Sequence, residues 1–198
     1  MGALEVVLCV LSAAPFEGVL EYDVRVRNAE GSVKTWVSKL GVRSEASLPF
    51  GTAKNQTTVL VTAAEPDVSR VWSAEKNEFV VQAPQPPQRK VTRAEAMGDG
   101  KVLGLGCKRV RLHDDQQGYT DYCVAKDALK DAAADRLVTR AQRLDDDTVA
   151  ALARAGATGL VVKMMHVSGG EPDLVLELTS LKAAKVDPAL MGGGPARK

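Results

Sequence analysis

The 198-residue chain carries 26 Lys and Arg against 25 Asp and Glu, a formal charge of +1. That balance argues against nucleic acid as a partner, because neutralising phosphates needs a clustered basic surplus, and 4% aromatic content leaves few rings for stacking platforms. The length suits one substantial core rather than two. We therefore expect a single domain over residues 15–190, preceded by a distinct segment 1–14 and followed by a mobile tail 191–198.

In chain order, Val6 to Ala14 is an apolar run ending in small residues, with Glu5 at its start and Pro15 directly after it. Two readings stay open for residues 1–14: a signal-sequence remnant, or a buried first strand, which the β-branched content also suits. The run is too short to cross a bilayer, so no transmembrane span is expected. From Phe16 to Val26 the even positions Phe16, Leu20, Tyr22, Val24 and Val26 are apolar, while Glu17, Glu21, Asp23 and Arg25 are charged. This period of two predicts a strand with one buried face. A second strand is expected around Val33–Val42, with Trp36, Leu40 and Val42 on one side. Three more are expected at Thr57–Thr62, Val68–Ser73 and Asn77–Gln82, the last two joined by a turn at Ala74–Asn77. Pro84–Gln88 breaks the pattern and reads as a plain loop.

A turn at Gly98–Gly100 leads to a hairpin, Gly106 to Val124, folded about Asp114–Gln116. Setting Cys107 opposite Cys123 places Arg109 opposite Asp121, and it keeps Val110, Leu112, Tyr122 and Val124 on one apolar side. A cross-strand disulfide between Cys107 and Cys123 fits this arrangement and is worth roughly 3 kcal/mol by loop-closure entropy. It would point to an oxidising compartment; the alternative is two reduced cysteines in neighbouring strands. From Lys126 to Gly156 the period turns helical, with Leu129, Ala133, Leu137, Ala141 and Leu144 recurring. Asp147 or Thr148 is the expected cap of a second short helix ending at Gly156. Strands at Leu160–Val167 and Asp173–Leu181 close the chain. The order predicts an α+β fold: one strongly curved antiparallel sheet of about nine strands, a half-barrel, with a helical insertion covering its concave face.

No motif carries chemistry. His113 and His166 lack the partners of a zinc site, and Asp145–Asp147 lacks the glycine and spacing of a calcium loop, reading instead as a helix start. Gly104-Leu105-Gly106 precedes a strand, the wrong order for a dinucleotide fingerprint. No serine stands in a nucleophile elbow. We expect neither cofactor, nor metal, nor enzymatic activity.

Several short motifs follow one another in a familiar order. They are Phe16-Glu17-Gly18, the segment Lys39 to Glu45, the Val71 to Phe79 hairpin, Val102 to Val110, Tyr122-Cys123-Val124-Ala125, Gly159 to Val162, and Leu178 to Leu181. Over most of Phe16 to Leu190 the chain resembles an uncharacterised family of small bacterial envelope proteins related to the lipoprotein-carrier half-barrels of the LolA and LppX type. The resemblance implies a periplasmic or otherwise extracytoplasmic, non-enzymatic protein that binds a lipid or another apolar ligand between sheet and helical lid. The apolar lining it implies is Leu20, Tyr22, Val24, Trp36, Phe79, Val110, Tyr122, Val162, Met164, Leu176 and Leu178. Each of these also suits a plain core. The alternative is a structural or assembly protein of the envelope, with a filled core, that docks a protein partner.

Overall fold

A computed structural model of the chain describes residues 15–50, 53–82 and 89–192. The expectations for 1–14 and for Pro84–Gln88 fall outside the described residues. The strands are β1 (Gly18–Val26), β2 (Ala29–Ser38), β3 (Gly41–Phe50), β4 (Ala53–Thr62), β5 (Glu65–Ser73), β6 (Glu78–Val81), β7 (Val91–Val102), β8 (Leu105–Asp114), β9 (Tyr119–Ala125), β10 (Leu160–Ser168) and β11 (Glu171–Ala183). Helices α1 (Ala132–Ala141) and α2 (Asp146–Arg154) lie between β9 and β10, and a single 3-10 turn, Pro188–Met191, follows β11. All eleven strands form one sheet in the order β6-β5-β4-β3-β2-β1-β11-β10-β9-β8-β7. Every ladder is antiparallel.

The sheet is strongly curved, and the packing of α1 shows why it must be. This helix touches both β5 and β10, which stand six inter-strand steps apart in the sheet order. In a flat sheet that separation would be about 29 Å, whereas a helix is only about 10 Å across. The sheet therefore wraps around α1. Leu137, Val138 and Ala141 of α1 pack into one cluster with Leu20, Tyr22, Val37, Val42, Val61, Leu160, Val162 and Leu178. A second cluster joins Ala151 and Leu152 of α2 to Val110, Leu112, Tyr122, Val124 and Val161. The two ends of the sheet, β6 and β7, do not pair with each other.

Local chemistry sets the helix boundaries. Asp131 caps α1, accepting from the amides of Ala133 and Ala134 at 3.0 and 3.1 Å, and its other oxygen accepts from the Phe16 amide at 3.0 Å. One carboxylate thus starts the helix and anchors the approach to β1. Asp145, rather than Asp147 or Thr148, caps α2 through the Thr148 amide at 2.8 Å. Asp146 and Asp147 then sit in the first turn, where the helix dipole favours them. Gly156, at φ +77°, ends the helix as expected.

Two strands escaped the sequence reading, which explains eleven strands instead of nine. The expected strand Val33–Val42 is two: β2 ends at Ser38, Leu40 sits in the turn 46% exposed, and β3 begins at Gly41. Trp36 and Val42 consequently lie on opposite faces, since Trp36 pairs with Arg43 and Val37 with Val42. The inward side of β3 offers Ser44 and Ala46 besides Val42, so no apolar alternation announces it. Ser44 is accommodated by a buried 3.0 Å hydrogen bond to the Thr35 hydroxyl. β7 is an edge strand, mostly exposed, and Gly98 within it marks a register shift at φ +84° rather than a turn. The turn falls instead at Leu103 and Gly104, both at positive φ.

The cysteine hairpin is also shifted by two residues. Arg109, not Cys107, stands opposite Cys123, and Asp121 pairs with Arg111 rather than Arg109. Asp114 is the cause: its Oδ1 accepts from the amides of Gln116 and Gly118 at 2.9 and 2.8 Å, holding the loop open to Gly118. A shift of two keeps every side chain on its expected face, and the Cys107–Cys123 disulfide is present, with Cα atoms 5.4 Å apart. Arg111 makes two hydrogen bonds to Asp121, at 2.7 and 2.8 Å, and lies over the Tyr119 ring.

Gly159 is required where the chain re-enters the sheet. Its φ is +124°, and a Cβ there would stand 2.3 Å from the Ala125 carbonyl oxygen. Gly159→Ala should therefore cost about 2 kcal/mol, read as a lowered urea midpoint with an unchanged slope.

Candidate functional site

A cleft of about 410 Å³ opens between the helix pair and the start of β10. Its floor is apolar: Val124 and Val161 from the sheet, Leu144 between the helices, Leu152 of α2, and Ala157 beyond it. Thr139 and Asp135 of α1 form one wall, and Lys126, Asp127, Arg136, Arg140, Asp67 and Asp146 carry charge around it. The rim is stapled. Arg136 bonds the Asp67 carboxylate at 2.7 Å, while Arg140 donates to the Asp67 carbonyl at 2.7 and 3.1 Å and to Asp146 at 3.2 Å. Beneath, Gln142 donates to the Tyr22 hydroxyl oxygen and to the Val161 carbonyl, both at 3.1 Å. Burial raises the pKa of Tyr22, so it remains a neutral phenol.

Asp135 is the anomaly of this wall. It is 8% exposed and lines the cleft. The Leu129 amide bonds its carboxyl group, but Oδ1 has no partner. Burial first, then the nearby charges of Asp127 and Asp131, pushes its pKa up to about 6. Because the folded pKa exceeds the unfolded one, folding is unburdened below about pH 4, loses stability as pH rises to about 6, and carries a constant penalty above that. Asp135→Asn should thus raise stability by about 1–2 kcal/mol near pH 8 and leave it unchanged near pH 4. Denaturation of the two proteins side by side at each pH checks this; an equal gain at both would contradict it.

The structure brings most of the sequence-predicted residues together, but not in this cleft. Leu20, Tyr22, Val24, Val110, Tyr122, Val162 and Leu178 are buried, with Met164 and Leu176 partly buried against the two helix-covered clusters. None of the eleven is among the residues lining the cleft. Trp36 and Phe79 are placed elsewhere: they pack with Leu60, Val186, Leu190 and Met191 on the opposite side of the sheet. Met191, expected to begin a mobile tail, is buried there. The cleft residues that sequence reasoning missed come from separate segments, and one signal was readable. Asp135 stands in the buried stripe of α1 with Ala134, Leu137, Val138 and Ala141, where a carboxylate is out of place.

A second polar cluster ties β9, β10 and β11 together. His166 Nδ1 lies 2.9 Å from the Thr120 hydroxyl and 3.3 Å from Arg89, and Nε2 is 3.8 Å from Asp173. His113 at the hairpin end contacts Arg93 and Glu95. Among the described residues no group of three His, Cys, Asp or Glu side chains could hold a metal ion. No helix among them is long and apolar enough to cross a membrane.

Among the described residues, eleven antiparallel strands, open at both edges and curled around α1, define a half-barrel. Residues 16–191 match the family described as a domain of unknown function (DUF4412), and the chain belongs to that family. No curated protein matches it. Among solved structures it is similar to the MucA/MucB complex of Pseudomonas aeruginosa at 13% identity and a TM-score of 0.47, over 90% of this chain and 56% of that one. It therefore spans just over half of that chain's length. It is also similar to LprF from Mycobacterium bovis (10% identity, TM-score 0.39, 89% and 90% covered). A putative outer membrane lipoprotein-sorting protein domain from Vibrio parahaemolyticus is a further likeness (6% identity, TM-score 0.38, 89% of each chain).

Proposed function

We propose that this is a non-enzymatic, extracytoplasmic bacterial protein that binds a lipid or other apolar ligand between its curved sheet and helix pair. The observation carrying this reading is the cleft of about 410 Å³ with an apolar floor, beside the helices that roof the sheet. That volume lies within the ~300–1,000 Å³ typical of ligand pockets. A longer ligand would enter by lifting α1, whose displacement would uncover Leu20, Tyr22, Val162 and Leu178 beneath it. The disulfide supports an oxidising compartment. Organic extraction of the purified protein followed by mass spectrometry tests the proposal. Stoichiometric copurified lipid is the expected result, and an extract matching the buffer blank counts against it.

The second reading is an envelope assembly protein with a filled core. It is favoured by the burial of the predicted lining residues and by the exposed edge at β6, where Val81 is 63% exposed. An empty extract accompanied by a stable higher-mass species in light scattering supports that reading over the first.

A further inference from the structure

We propose that the cleft selects amphiphiles whose head is a protonated amine, with the Asp135 carboxylate receiving the ammonium while Val124, Val161 and Leu152 take the tail. This rests on the apolar-ligand reading and adds the head group to it. Three observations converge. Asp135 is nine-tenths buried, lines the cleft and leaves Oδ1 without a hydrogen-bond partner; a carboxylate so placed is costly unless a cation or donor meets it.

The arginines of the rim are engaged elsewhere, which is the second point. Arg136 is held by Asp67, and Arg140 by the Asp67 carbonyl and Asp146. Lys126 lies exposed at the cleft's edge. The Tyr22 hydroxyl is likewise occupied, by Gln142 and the Val161 carbonyl.

Third, the remaining field at Asp135 is negative. Asp127 and Asp131 both act on it, and Asp131 is itself committed to capping α1 and holding Phe16. An anionic head, carboxylate or phosphate, would add a further negative charge at close range. A volume near 410 Å³ is at the small end for ligand pockets and suits one alkyl chain with a compact head. Protonation of Asp135, whose pKa lies near 6, would abolish the preference in acid. Asp127, Asp131, Asp67, Asp146, Lys126, Arg136, Arg140 and Tyr22 are the other titratable or charged groups around it.

The test is titration calorimetry of the whole protein with three ten-carbon probes below their micellar concentrations: decylamine, decanol and decyl sulfate. Near neutral pH, decylammonium should bind about tenfold or more tightly than decanol, and decyl sulfate more weakly than decanol. Asp135→Asn should bring decylammonium down to the decanol level. Asp147→Asn, which removes an exposed carboxylate away from the cleft, should keep the preference. The preference should also fade towards pH 5, about a unit below the Asp135 midpoint. Equal affinities for decylammonium and decanol, or a preference that survives in Asp135→Asn, overturn the head-group assignment and leave the apolar-ligand reading standing. Failure of all three probes to bind the wild-type protein overturns both.

Discussion

Reducing the Cys107–Cys123 bond is expected to lower folding stability by about 3 kcal/mol. The two cysteines are 16 positions apart, so the bond closes a short loop around the β8–β9 turn and restricts the unfolded chain far more than the folded one. Both side chains are buried in the cluster that packs on α1, so reduction leaves the thiols sheltered and the packing nearly intact. Urea denaturation of oxidised and reduced wild-type protein isolates the cross-link. The Cys107→Ala, Cys123→Ala double variant adds the lost packing on top. A reduced protein with the oxidised midpoint would show that the hairpin is held entirely by its ladder and the Arg111–Asp121 pair. A loss of the expected size is a large share of the stability of a typical domain, which makes the folded population sensitive to the redox state of its surroundings.

Arg43→Ala should be the most damaging single substitution, at about 3–5 kcal/mol. Arg43 is 1% exposed, with Nε donating to Glu45 at 2.9 Å and a terminal nitrogen donating to the Leu190 carbonyl at 2.7 Å. It reaches from β3 to the 3-10 turn after β11, across the patch where Trp36, Leu60 and Met191 pack. Truncation leaves the Glu45 carboxylate and the Leu190 carbonyl without this donor and opens a cavity between them. Hydrogen exchange should show the loss first in residues 186–192, which Arg43 ties to the sheet alongside their packing on Trp36 and Leu60. Arg43→Met combined with Glu45→Gln should recover much of the stability, because it removes the uncompensated charge and refills the space. A single variant with wild-type stability and unaltered exchange would contradict this account.

Most strands were legible because a half-buried strand writes its burial into the sequence. Leu20, Tyr22 and Val24 alternate with Glu21, Asp23 and Arg25, and the structure buries the first set. β3 and β7 were illegible for opposite reasons. β3 turns Ser44 and Ala46 inward, so its buried face looks polar, and the Thr35 hydroxyl supplies a partner that lies in another strand. β7 is an edge with little to bury, and its irregular ladder absorbs the glycines that read as a turn. The disulfide survived a wrong register because a slip of two preserves the faces. The cleft was hidden more deeply. Its floor depends on where the helix pair settles, and on β10, whose ladder with β9 shifts register between Val161 and Lys163. Around that irregularity Leu160 and Val162 join one cluster while Val161 and Met164 join the other, and the spacing of three between the latter pair is one that strict alternation forbids. Asp135 alone was readable, as a carboxylate in an apolar stripe.

The ladder between β1 and β11, from Gly18 with Ala183 to Val26 with Leu174, joins the two ends of the described chain at the middle of the sheet. A chain made from its N-terminus presents β1 early, paired with β2 on one side only. Its other edge, carrying the backbone flanking Leu20 and Tyr22, has to wait until β11 has emerged. Such distant pairings slow folding and leave intermediates prone to capture by foreign strands. Until β11 arrives, the unpaired edge of this architecture therefore lies at the centre of the sheet rather than at its margin.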